Sequence, residues 1–143
     1  MSVNNILQTK GTKVATIAST HTMGEAIKLL AEWKIGALLV TDGVKPVAGI
    51  ISERDIVRAI AHKGHAILGS SVADHMTRDV VTCTSKSDIT DIMELMTRGR
   101  FRHLPVVEND RLVGVISIGD VVKHRLAEIE AETQAIKDYI ATA

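Results

Sequence analysis

This sequence predicts a mixed α/β fold (α+β) in which one unit is used twice. Three observations carry that prediction. Helix-period and strand-period patterns run from Val14 to Val57 and return in the same order from Val80 to Val122. The turn from strand to helix is nearly identical in both copies: Gly49-Ile50-Ile51-Ser52-Glu53-Arg54-Asp55 answers to Gly114-Val115-Ile116-Ser117-Ile118-Gly119-Asp120. Finally, a chain of 143 residues, 45% of them hydrophobic, can bury one good core, whereas half of it cannot. The two units are therefore expected to pack on one another about a pseudo-twofold axis, with sheets facing inward, helices outside and paired clefts between them.

The elements follow in order. A short strand rich in Val, Ile and Thr is expected around Lys13 to Ile17, and its counterpart around Asp79 to Cys83. Each is followed by a helix. Met23, Ala26, Ile27 and Leu30 make one apolar face, and Ile89, Ile92, Met93 and Met96 make the other. Thr22 with Glu25 reads as a capping box, and Asp88 with Asp91 places carboxylates at the positive end of the helix dipole. Two apolar runs then flank a turn in each copy: Ala37 to Thr41 and Val47 to Ile51 around Asp42-Gly43, then His103 to Val107 and Leu112 to Ile116 around Asn109-Asp110. Each pair reads as a hairpin. A second helix starts at Ser52 or Ser117. The first is expected to end near Gly64 in a left-handed cap, while the second finds no stop before the C-terminus.

Between the copies, Gly64, Gly69, Ser70 and Ser71 read as a loop, and Val72 to Thr77 as a short helical lead-in whose counterpart before copy one is Val3 to Leu7. These boundaries divide the chain into a first repeat at 1–67, a second at 68–125 and a C-terminal helical extension at 126–143. That extension carries Leu126, Ile129, Ile136 and Tyr139 among charges of both signs. Such an amphipathic stretch is expected to pack against its own body or a second subunit rather than a membrane.

Composition removes several functions. Formal net charge is +0, so no overall field favours nucleic acid or an anionic membrane, and an aromatic content of 2% leaves few base-stacking platforms. No apolar stretch has the length to span a bilayer, and Met1 to Lys10 lacks a basic region followed by an apolar one, so a cytoplasmic location is expected. The lone Cys83 lies in an apolar, Thr-rich segment and reads as a buried structural thiol. His62 and His65 have no third metal ligand in view, and His21, Cys83 and Asp88 form a triad only on paper. The chain is expected not to be an enzyme.

The order strand, helix, strand, strand, helix, repeated with Gly, two apolar residues, Ser and Asp at the last turn, resembles a tandem pair of CBS domains, a Bateman module. Leu104-Pro105-Val106-Val107 and Val72-Ala73-Asp74-His75-Met76-Thr77 resemble further signatures of the family. The resemblance covers nearly the whole chain. It implies an adenosine-containing ligand (AMP, ADP, ATP or NAD, with no cofactor required), ribose hydroxyls on Asp55 and Asp120, and Ser52 and Ser117 assisting. Chemically, a carboxylate can accept from both vicinal hydroxyls of a ribose. Without that setting, Ser and Asp at this spacing are simply good helix-start residues.

For the phosphates, the resemblance points to Arg102 and His103 in copy two, where copy one has Gly36 and Ala37; Arg98 and Arg100 stand close by in sequence, and Arg54 lies inside the first Ser-to-Asp segment. Arg98, Arg100 and Arg102 read equally as a solvated cluster. Thr16, Ala18, Thr82 and Thr84 match cleft-lining strand positions of the family, or show plain strand propensity. Ile35, Ala37, Leu38, Phe101 and Leu104 are walls for a base, or core. The expected protein is a stand-alone sensor or regulatory subunit, a homodimer, acting on an unknown protein target. The alternatives are a ligand-free dimerisation module and, at the Arg98 to His103 cluster, a nucleic-acid contact.

Overall fold

The structure, a computed structural model, describes residues 1–143. Helix α1 (Val3–Lys10) leads into copy one, which comprises β1 (Thr16–Ala18), α2 (Met23–Trp33), β2 (Ala37–Thr41), β3 (Gly49–Ser52) and α3 (Glu53–Lys63). Copy two comprises α4 (Ile89–Gly99), β4 (His103–Glu108), β5 (Arg111–Ser117) and α5 (Ile118–Thr142). Two 3₁₀ turns, Gly64–Gly69 and Val72–Asp74, join the copies. The mixed, duplicated architecture is the one expected.

Helix starts follow the local chemistry. Thr22 caps α2 by accepting from the Glu25 N–H, and Asp88 caps α4 by accepting from the Thr90 N–H. The Glu25 carboxylate pairs with His21 and the Thr22 hydroxyl instead of closing a full box. Both helices end on a non-glycine residue in the left-handed region, Lys34 (φ 53°) and Arg100 (φ 53°). Helix α3 ends at Gly64 as expected, with the Gly64 N–H on the Ile60 carbonyl, but the form of the cap is a correction: its φ of 68° comes with ψ of −163°, outside the left-handed helical conformation, and the chain passes directly into a 3₁₀ turn. The hairpins form as expected. Asn109 and Asp110, with φ of 50° and 60°, make the two-residue turn of β4–β5, and the Asp42 carboxylate accepts from Val44 and Lys45 N–H in the β2–β3 loop.

Copy one has the order β1-β2-β3, with β1 parallel to β2 and β2 antiparallel to β3. Copy two keeps only the β4-β5 hairpin. The strand expected at Asp79 to Cys83 is reduced to a single parallel bridge between Cys83 and Val106. Proline accounts for the loss. In copy one the Leu39 N–H donates to the Ala15 carbonyl at 3.1 Å. The residue equivalent to Leu39 is Pro105, which has no N–H to give to Val81.

Two buried clusters form, one per copy, and they match position by position. Ile17, Met23, Leu30, Leu38, Val40 and Ile51 in the first correspond to Cys83, Ile89, Met96, Leu104, Val106 and Ile116 in the second. The lead-in segments are exchanged. Val3, Ile6 and Leu7 of α1 fill the core of copy two, while Val72 fills that of copy one. Equivalent backbone bonds fix both: Val3 N–H to Ser87 carbonyl at 2.9 Å and Val72 N–H to His21 carbonyl at 2.8 Å. Each copy thus completes its core with a piece of chain that precedes the other.

Candidate functional site

The two Ser and Asp pairs sit at the first turns of α3 and α5, and each forms a capping box. The Ser52 hydroxyl accepts from the Asp55 N–H, and Asp55 Oδ2 accepts from the Ser52 N–H at 2.9 Å. Ser117 and Asp120 repeat this, with the Ser117 N–H to Asp120 Oδ2 at 2.8 Å. The first amide of each helix is tied to the residue ahead of the neighbouring strand: Glu53 N–H to Gly36 carbonyl at 3.0 Å, Ile118 N–H to Arg102 carbonyl at 2.8 Å. Both carboxylates are therefore held half-buried at the N-terminal end of a helix, beside the start of a strand.

Their outer partners come from the exchanged lead-ins, and these differ. Asp55 Oδ1 accepts from the Thr77 hydroxyl at 3.3 Å, and Thr77 exchanges two 2.9 Å backbone bonds with Ile50. At Asp120 the same place is taken by a lysine. Lys10 Nζ donates to Asp120 Oδ2 at 2.6 Å and to the Val115 carbonyl at 2.9 Å. Burial pushes the Asp120 carboxyl up, but the Lys10 bond and charge, with the Ser117 bonds, outweigh it and hold the group below its ordinary value of 3.8.

His103, half-buried at the start of β4, faces Gly36 across the junction of the copies. Burial lowers its pKa, Lys10 and Arg102 lower it further, and Asp120 and Glu53 oppose them. The imidazole is thus neutral at pH 7 and sits among charges of both signs. Around Asp55 lies an open depression of about 390 Å³, lined also by Arg58, His62, Lys63, Asp74 and His75.

The other candidate residues divide. Thr16, Thr82, Thr84, Arg54 and Arg102 are exposed, and Ala18 and Ala37 are half-buried on their strands. The Thr84 N–H is engaged by the Ser87 hydroxyl at 3.1 Å. Ile35 and Phe101 are half-buried, each packed on the rim of its own core. Leu38 and Leu104 are wholly buried, so of their two readings it is the core that they fill. Burial raises the Cys83 thiol to about 11, consistent with a structural thiol.

The chain that carries this duplicated box is similar to known proteins over most of its length. The CBS domain model fits twice, at residues 6–62 and 72–127. This chain belongs to the CBS-domain family. A crystal structure of a CBS-domain containing protein from Agrobacterium tumefaciens is similar at 50% identity, with a TM-score of 0.84, covering 87% of this chain and 99% of that one. A mitochondrial CBS domain-containing protein of Arabidopsis thaliana is 33% identical over 97% of this chain and 71% of its own. A CBS domain pair crystallised with 5′-methylthioadenosine and S-adenosyl-L-methionine is 26% identical, with a TM-score of 0.75, over 86% of this chain and 98% of that one.

Within this CBS pair, sequence reasoning missed Lys10, Glu53, Arg58 and Thr77 as neighbours of the two carboxylates. Thr77 stood inside a family-like motif and Glu53 inside the Ser-to-Asp segment, so both were findable. Lys10 closes an amphipathic helix, where a solvated cation is the ordinary expectation. No helix of the chain is long and apolar enough to cross a membrane.

Proposed function

We propose that this CBS pair is a regulatory module that binds an adenosine-containing nucleotide, AMP, ADP, ATP or NAD, and passes the ligand state to a protein partner through a homodimer, without catalysing a reaction. The observation that carries this reading is the state of Asp120. Its Oδ2 is filled by Ser117 and Lys10, while Oδ1 has no protein donor. A carboxylate fixed in this way presents one oriented oxygen to the hydroxyls of a ribose, and charge-assisted bonds of that kind are worth roughly 1.5–3 kcal/mol each. Ser117 stands beside it, and Lys10, Arg102 and His103 supply donors for a phosphate. Asp55 with Ser52 is the second ribose site, where Arg58 and Lys63 supply the cations. The strand residues Thr16, Ala18, Ala37, Thr82 and Thr84, with Ile35 and Phe101 at the core rims, border the base. The related pair bound to methylthioadenosine and S-adenosylmethionine supports the adenosine class.

A ligand can shift only states that it binds unequally, so regulation requires the two copies to change their packing on binding. The exchanged lead-ins supply the moving parts, because Lys10 and Thr77 each join a carboxylate of one copy to a segment packed on it.

A thermal-shift screen of nucleotide-free protein against AMP, ADP, ATP, NAD, S-adenosylmethionine and a guanosine control tests the reading. A selective rise with adenosine compounds is expected. Asp120→Ala should then weaken binding by roughly 10- to 100-fold with the fold retained. No shift with any compound would favour a ligand-free dimerisation module, and equal affinity in wild type and Asp120→Ala would remove the ribose assignment there.

A further inference from the structure

Helix α5 outruns the body that it starts in. Val121 is its last buried residue, and His124 and Glu128 are its last half-buried ones. From Ile129 onward every residue is exposed, including Ile136 at 61%, Tyr139 at 75% and Ile140 at 68%. An unpacked helical arm of about 20 Å, at 1.5 Å per residue, is only marginally stable in water. Its apolar residues share one face. Val122, Leu126, Ile129, Ile136 and Ile140 follow alternating steps of four and three, with Thr133 in the remaining place. That is the seam of a coiled coil, with Leu126, Thr133 and Ile140 at a and Val122, Ile129 and Ile136 at d. Toward the body, the seam continues as an open groove of about 580 Å³ past Gly119, Val122 and Leu126.

The flanking charges say what covers this face. Positions e hold Lys123, Glu130 and Lys137, and positions g hold Arg125, Glu132 and Tyr139. In a parallel, in-register pair each g residue faces the e residue of the next heptad on the other helix. Arg125 then meets Glu130 of the second copy, and Glu132 meets its Lys137. Both pairs are opposite in sign, and symmetry doubles them. The fully overlapped antiparallel register instead opposes Lys123 to Lys137, Glu130 to Glu130 and Glu132 to Glu132.

We infer that the outer part of α5 is a self-association surface, on which a second copy of this chain docks its own α5 in parallel and in register. This rests on the homodimer named under the proposed function and assigns it a surface; it does not require the nucleotide.

Full-length Cys83→Ala protein carrying Ile136→Cys, exposed to mild oxidant, tests the pairing, because d residues face their own counterparts only in a parallel pair. Rapid disulfide-linked dimer is expected, with none from Gln134→Cys, which points away from the seam. In sedimentation velocity, Glu132→Lys and Lys137→Glu should each weaken the dimer by roughly 3- to 10-fold, and the double variant should restore it. A dimer that Ile136→Cys fails to cross-link overturns this surface and leaves the homodimer standing. A monomer at all concentrations overturns both, and a trimer or tetramer overturns the two-stranded pairing.

Discussion

The two CBS repeats share a core and differ at the carboxylate. Leu38 and Leu104, Val40 and Val106, Ile51 and Ile116 are buried in equivalent places. Yet Asp55 is closed by a backbone-pinned threonine, and Asp120 by the end of a flexible lysine. The difference arises in the exchanged lead-ins, of which one begins as a 3₁₀ turn and the other is a two-turn helix. Packing is thus duplicated more strictly than polar chemistry, because a core position tolerates only apolar groups of matching volume, while a surface carboxylate accepts any donor. Two pseudo-equivalent sites can diverge at little cost to the fold.

Core truncation gives the largest effect and tests the duplication itself. Leu38→Ala and Leu104→Ala should each cost about 3 kcal/mol, since both side chains are wholly buried. The exchanged lead-ins make the copies interdependent, so calorimetry should show one unfolding transition in both variants. Two resolved transitions, with only the mutated half shifted, would mean that the repeats fold as separate units.

A smaller and unequal effect is expected at the glycines that open the shared turn. A Cβ at Gly49 would lie 2.6 Å from the Thr77 carbonyl oxygen and 2.7 Å from the Met76 sulfur. Thr77 cannot retreat without breaking its two bonds to Ile50. At Gly114 the neighbour is a methyl of Leu7 at 2.8 Å, the far end of a side chain that can rotate. Gly49→Ala should therefore cost about 1–3 kcal/mol in urea unfolding, and Gly114→Ala less than about 1 kcal/mol. Equal losses would show that α1 is as rigidly seated as the 72–77 segment.

These contrasts also mark what a single sequence reveals. The capping boxes at Ser52 and Ser117, the Thr22 and Asp88 caps and the Asn109-Asp110 turn were legible because each depends on residues within four positions of one another. The exchange of lead-ins was not. Periodicity tells which face of Val3 to Leu7 is apolar, without telling which of two equivalent cores receives it. The missing strand before α4 was signalled by Pro105 in its neighbour rather than by its own Val and Thr content, so strand propensity alone misled. Lys34 and Arg100 end helices in conformations for which Gly64 looked the better candidate, since tertiary packing can hold a non-glycine residue at positive φ. Lys10 needed the fold, because its partner lies 110 residues away along the chain.

The smallest expected effect isolates the lysine. Lys10 and Asp120 are partly exposed, with side-chain accessibilities of 31% and 23%, so their pair is worth at most about 1 kcal/mol after solvent screening. The Asp120 carboxyl is nevertheless held below 3.8, its ordinary value, against the upward push of burial. A carboxyl depressed in the folded state stabilises the fold at pH values above its unfolded pKa, and that contribution fades as pH falls through the folded pKa. In Lys10→Ala the main force lowering the Asp120 pKa is gone while burial remains, so the carboxyl should titrate at higher pH, followed by its side-chain carbon resonance. The small stability gain above about pH 4 should be lost with it. An unmoved Asp120 would mean that the Ser117 bonds alone hold its charge, and the chemical contrast between the two repeats would then reduce to sterics.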